Sequence, residues 1–181
     1  MPRKKTFDTA DAIRAARDRF WQYGYAATSL NDLEAVTGLN RSSLYQAFGG
    51  KRQLFALALD NYLEEVAIPR LAALEAPDAG PATIAAYFRG FTKLPPYLGC
   101  LMVNTITELG PHDEAARAAG AKYRLRVRRA FENALAGSEC AGRRAELLTG
   151  ALIGLLATAR LSRTTAAHLA RDTAAEVDTW A

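Results

Sequence analysis

The most constraining feature of this chain is its punctuation between residues 27 and 50. The run Ala27-Thr28-Ser29-Leu30-Asn31-Asp32-Leu33-Glu34-Ala35-Val36-Thr37 ends at Gly38, and Arg41 to Phe48 ends at Gly49-Gly50. Thr28 or Ser29 is placed to cap a helix, and Asp32 and Glu34 suit a first turn near the positive end of a helix dipole. Leu30, Leu33 and Val36 make a short apolar stripe. Asn40 is placed to cap a second helix, Arg41 to Phe48, whose Leu44 and Phe48 point inward. Two short helices joined by a tight glycine-containing turn predict a helix-turn-helix.

The flanking segments also read as helices. Residues 8–23 put Ile13, Ala16, Phe20 and Tyr23 on one face, with Gly24 as a stop. Lys51 opens a longer helix with apolar positions from Leu54 to Val66, which Pro69 kinks or ends. Ala76-Pro77-Asp78-Ala79-Gly80-Pro81 is the clearest loop. Five more helices follow, near 82–93, 99–109, 112–136, 142–161 and 164–179. Alanine and leucine are abundant and β-branched runs are scarce. The expectation is an all-α chain: a three-helix DNA-binding domain over 1–50, a connecting helix over 51–75, and a ligand-binding and dimerisation domain over 76–181.

Composition narrows the function. The formal net charge is +4, and residues 1–60 hold nine Lys and Arg against six Asp and Glu. The basic excess thus sits mainly beside the helix-turn-helix, although a surplus of this size is weak evidence for nucleic acid by itself. The basic start Met1-Pro2-Arg3-Lys4-Lys5 is followed by no apolar signal region. The greasy stretch Leu147 to Ala159 is too short to span a bilayer. The expectation is a cytoplasmic protein without a membrane partner. Cys100 and Cys140 form neither a metal-type spacing nor a disulfide framework, and His112 and His168 belong to no metal site. No phosphate loop or nucleophile–base pair stands out, so no enzyme, cofactor or metal is expected. A helical adaptor that uses the motif for protein contact is disfavoured by the polar face with Arg41, Gln46 and Lys51.

The residues Phe20, Gly24, Tyr25-Ala26-Ala27-Thr28-Ser29-Leu30, Gly38 to Phe48 and Lys51-Arg52-Gln53-Leu54-Phe55 together resemble the TetR-type regulators. The departure is Gly49-Gly50, where that family often has a charged or polar residue. The segment Gly99-Cys100-Leu101-Met102-Val103-Asn104 resembles a subgroup that includes the N-ethylmaleimide-responsive repressor, in which a cysteine of this segment senses electrophiles.

The resemblance implies a ligand-responsive repressor that binds a double-stranded operator as a homodimer. It implies phosphate contacts from Thr28, Tyr45 and Lys51. A recognition helix needs small or polar side chains on its outer face, and Arg41, Ser42, Ser43 and Gln46 fit that need. Arg3, Lys4 and Lys5 are either nonspecific phosphate contacts or a solubilising tail. The helix with Leu147, Leu148, Ala151, Leu152, Leu155 and Leu156 is either a dimer interface, as the resemblance implies, or internal core. The effector pocket is expected among helices 82–93, 99–109 and 112–136. Its candidate wall is Tyr87, Phe88, Phe91, Met102, Val103, Ile106 and Tyr123, with Asn104, Thr107 or Glu108 as polar groups. Such a pocket suits a small hydrophobic effector. Cys100, expected near a helix N-terminus, is either a thiol that meets an electrophile or oxidant or an inert buried cysteine, and Cys140 is a candidate resolving partner.

Overall fold

A computed structural model describes residues 8–93 and 98–180. Arg3, Lys4 and Lys5, named above, lie outside the described residues. Among the described residues there are nine α-helices and no strand. In chain order they are α1 (Thr9–Tyr23), α2 (Leu30–Thr37), α3 (Arg41–Phe48), α4 (Lys51–Tyr62), α5 (Pro81–Gly90), α6 (Leu101–Leu109), α7 (Glu114–Ala134), α8 (Ala141–Thr158) and α9 (Arg163–Asp178). No helix among the described residues is long and apolar enough to cross a membrane. The chain divides into two compact units between Val66 and Ala67.

The first unit holds α1 to α4. Asp8 caps α1 through Ala10 N–H, at 2.8 Å. The core is built from Ala16 and Phe20 of α1, Leu33 of α2, Leu44 and Phe48 of α3, and Leu54, Phe55 and Leu59 of α4. The rings of Phe20 and Tyr25 each meet Phe55 edge-on, at 4.9 Å between centroids. Such aromatic contacts add to area burial and fix the angle between α1 and α4.

Two expected faces need correction. Tyr23 lies outside the core, 46% exposed, with the Arg19 guanidinium 3.7 Å over its ring. Val36 is 40% exposed. The α-helix that begins at Lys51 ends at Tyr62, short of Val66, and passes into one π-helical turn, Leu63–Ala67. Arg14 and Arg17 of α1 both reach the Glu65 carboxylate in this segment, at 3.4 and 2.7 Å. Together with a hydrogen bond from Asn61, they hold that carboxyl below its ordinary range.

The second unit holds α5 to α9. α5 packs on α9, and α7 packs on α6 and α8. Alanines of α9 (Ala166, Ala170, Ala174) are buried, so α5 approaches closely, and Phe88 of α5 stacks on Phe131 of α7 at 5.8 Å. Asp113 caps α7 and Ser162 caps α9 by accepting backbone N–H bonds. Gly99 carries φ +58° just before α6, and a Cβ there would stand 2.5 Å from the Leu156 carbonyl oxygen. Only glycine lets the start of α6 rest against α8 in this way. α5 ends at Gly90 and is followed by a separate 3₁₀ turn, Phe91–Lys93, rather than running on to 93.

Candidate nucleic-acid interface and effector cavity

Local hydrogen bonds fix the turn between α2 and α3. Ser29 and Asp32 form a capping box: the Ser29 hydroxyl accepts from Asp32 N–H at 3.1 Å, and the Asp32 carboxylate accepts from Ser29 N–H at 2.8 Å. Those Ser29 bonds, aided by Arg19 at 2.9 Å, keep the Asp32 carboxyl below its ordinary range. Asn40 caps α3 by accepting from Ser43 N–H at 2.9 Å. Arg41 N–H donates to the Glu34 carboxylate, and the Arg41 guanidinium donates to Asn31 Oδ1 at 3.0 Å. A short helix held by caps at its start and by Leu44 and Phe48 beneath has one defined outward face.

That face carries Arg41, Ser42, Tyr45 and Gln46, all exposed, with Tyr45 52% exposed. Ser43 is half-buried. The Lys51 ammonium lies 4.3 Å from the centroid of the Tyr25 ring. Gly50, at φ +116°, leaves the space in which the Tyr45 ring lies, since a Cβ there would stand 2.9 Å from its Cε1. Thr28 departs from expectation. It is fully buried, and its hydroxyl donates to the Gly24 carbonyl at 2.7 Å. Its side chain braces the turn between α1 and α2 and is not presented outward.

The second unit contains a cavity of about 270 Å³ between α6, α7 and α8. α6 supplies Val103, Ile106 and Thr107, while α7 supplies Gly120, Ala121, Tyr123, Arg124 and Val127. α8 supplies Thr149, Leu152, Ile153 and Leu156. Gly120 matters because a Cβ would meet the Ile106 side chain at 2.4 Å. Exposed Thr107, Ala121 and Arg124 mark the mouth, where Arg124 pairs with Glu146 across α7 and α8.

Of the expected effector residues, Val103, Thr107 and Tyr123 line this cavity, and Tyr87, Phe91, Cys100 and Asn104 do not. Tyr87 and Phe91 meet edge-on at 5.0 Å between centroids, in an aromatic cluster with Phe88 and Phe131. Asn104 is buried, and its amide donates to the Leu98 carbonyl at 3.2 Å. Met102 is fully buried core. Sequence reasoning missed the whole contribution of α8.

Cys100 is 1% exposed, at the cap position of α6. Burial pushes the Tyr123 and Tyr87 hydroxyls well above the ordinary tyrosine range, so both stay protonated. Both cysteines are free thiols. Among the described residues no group of His, Cys, Asp and Glu is placed to hold a metal ion.

The geometry of the first unit defines a helix-turn-helix protein with a presented second helix. Residues 12–58 match the family described as bacterial regulatory proteins, tetR family. An uncharacterised helix-turn-helix-type transcriptional regulator of Bacillus subtilis (strain 168), YezE, is 39% identical over 122 residues, covering 65% of this chain and 63% of the relative. The helix-turn-helix-type transcriptional repressor ComR of Escherichia coli (strain K12) is 38% identical over 114 residues, covering 60% of this chain and 54% of ComR. The chain thus matches less than two thirds of the length of either relative. A cysteine mutant of the TetR-family regulator CifR, solved with 26-bp operator DNA, superposes with a TM-score of 0.82 at 27% identity, covering 99% of this chain and 100% of that one. Residues 12–58 thus match the DNA-binding domain of the TetR-family bacterial regulators, and the chain as a whole is similar in fold to a member of that family.

Proposed function

We propose that this protein is a ligand-responsive, sequence-specific DNA-binding transcriptional regulator that acts as a homodimeric repressor. The observation that carries the reading is the outward face of α3, fixed by the Asn40 cap and bearing Arg41, Ser42, Tyr45 and Gln46. Arg41 and Gln46 have the donor geometry to read guanine and adenine edges in a major groove. Ser42 and Ser43 flank them, while Tyr45 and Lys51 reach phosphates, which set register without carrying sequence. The N-terminal domain thus reads the operator, the segment after it connects, and the C-terminal domain senses. The relatives named above, a repressor and an operator complex among them, support this reading.

The dimer reading rests on α8. Leu147 and Leu161 are 65% and 83% exposed, and nothing lies within 4 Å of a Cβ built at Gly150 or Gly154. With Ala157 these positions form one exposed stripe of apolar and small residues, suited to close approach by another helix. A two-fold dimer presents two recognition helices to half-sites about one helical turn apart. An effector in the second unit alters operator affinity only by binding one state of the dimer better than the other.

The test is fluorescence anisotropy of the protein on the DNA upstream of its own gene, with nonspecific competitor and a salt series. We expect tight binding whose logarithm falls linearly with the logarithm of salt concentration. Arg41→Ala and Gln46→Ala should each weaken binding about 10- to 100-fold on the preferred sequence and far less on random DNA. Equal affinity for every duplex, or no affinity for any genomic fragment, would sink the reading.

A further inference from the structure

The cavity between α6, α7 and α8 limits the chemistry of its occupant. We infer that it takes an uncharged, largely apolar molecule of about ten non-hydrogen atoms, held reversibly and without a bond to Cys100. This rests on the effector reading above and narrows it.

Size comes first. A cavity of about 150 Å³ lined by apolar side chains takes benzene. The present volume of about 270 Å³ is nearly twice that, which suits a fused bicyclic hydrocarbon skeleton. Polarity comes second. The Thr149 hydroxyl donates to the Ala145 carbonyl at 2.7 Å, and the Thr107 hydroxyl donates to Asn104 O at 2.9 Å. The threonine hydroxyl protons on the wall are thus committed to the protein, and the surface that faces the cavity is almost wholly apolar. A ligand with many polar groups would lose its hydration here without replacement.

Charge comes third. The one charged side chain at the wall is Arg124, which is paired with Glu146; Glu146 also lies 3.3 Å from Arg128. An anion would have to displace a carboxylate already held by two arginines. Access to the thiol comes last. Cys100 is not part of the wall, and the Tyr123 side chain is. A molecule seated in the cavity therefore meets Tyr123 and not the sulfur.

The experiment uses the full chain with naphthalene as probe and 2-naphthoate as its anionic counterpart of similar size. Naphthalene near saturation should raise the melting temperature by about 3 °C, and 2-naphthoate by less than about 1 °C. Ala121→Trp and Thr107→Phe add bulk at exposed positions of the mouth, so both should fold and both should abolish the naphthalene shift. Cys100→Ser should keep it. Stabilisation by 2-naphthoate equal to that by naphthalene, no stabilisation by either, a shift that survives both mouth variants, or its loss in Cys100→Ser would each overturn the inference. Affinity for duplex DNA is measured separately, so failure of the regulator reading is distinguishable from failure of the cavity assignment.

Discussion

At the scale of single residues, Gly50 has the sharpest consequence. Its φ of +116° is unfavourable for a residue with a side chain, and an added Cβ would press on the Tyr45 ring. Gly50→Ala should therefore cost about 1–2 kcal/mol in urea unfolding. It should also weaken binding to all duplexes alike, because Tyr45 is assigned to phosphate and not to bases. A loss confined to one sequence would move Tyr45 into base readout. Residues of this kind show how far the sequence was readable. Gly49-Gly50 is visible as a break, but the ring it accommodates is five residues back and is seen only in three dimensions. Thr28 was misread for a similar reason. A threonine before a helix serves as an outward hydroxyl or as a brace, and the Gly24 carbonyl that decides the matter is set by the path of the turn.

At the scale of elements, boundaries were legible where the signals are local. Asn40 caps α3 and Phe48 ends it, as the cap and glycine pattern indicated. Ser29 rather than Thr28 caps α2, and it does so with a reciprocal bond to Asp32. Ser29→Ala should destabilise the first unit by about 1 kcal/mol, read by thermal or urea melting, since the bond from Asp32 N–H to the Ser29 hydroxyl is lost while the backbone half of the capping box remains. Little or no change would mean that α2 is held by packing on α1 alone. Helix faces were less legible. Spacing alone puts Tyr23 and Val36 with the apolar residues of their helices, yet both are exposed. The π-turn after Tyr62 has no sequence signature. Part of the cavity wall was legible: Val103, Thr107 and Tyr123, on α6 and α7, line it. The face of α8 with Thr149, Leu152, Ile153 and Leu156 was hidden because one greasy helix serves two surfaces.

At the scale of the whole molecule, that doubled use of α8 sets the next prediction. Leu147 points away from the cavity face and is exposed in the single chain. Leu147→Glu should yield monomers in sedimentation analysis and lower operator affinity by at least about tenfold, as a charge facing a like charge across a two-fold axis is unfavourable. Naphthalene binding should persist, since Leu147 does not line the cavity. An intact dimer in this variant would remove α8 from the proposed interface.

The outward face of α3 contributes little to folding. Leu44 and Phe48 supply the packing and Asn40 supplies the cap, while Ser42 and Gln46 stand in solvent. Replacing those two residues costs the protein almost nothing in stability. A duplicated copy of the gene can therefore drift toward a different promoter by single substitutions, each step yielding a folded, testable product for selection. Regulatory wiring is the trait this architecture leaves open to inheritance, and the second unit travels with it unchanged.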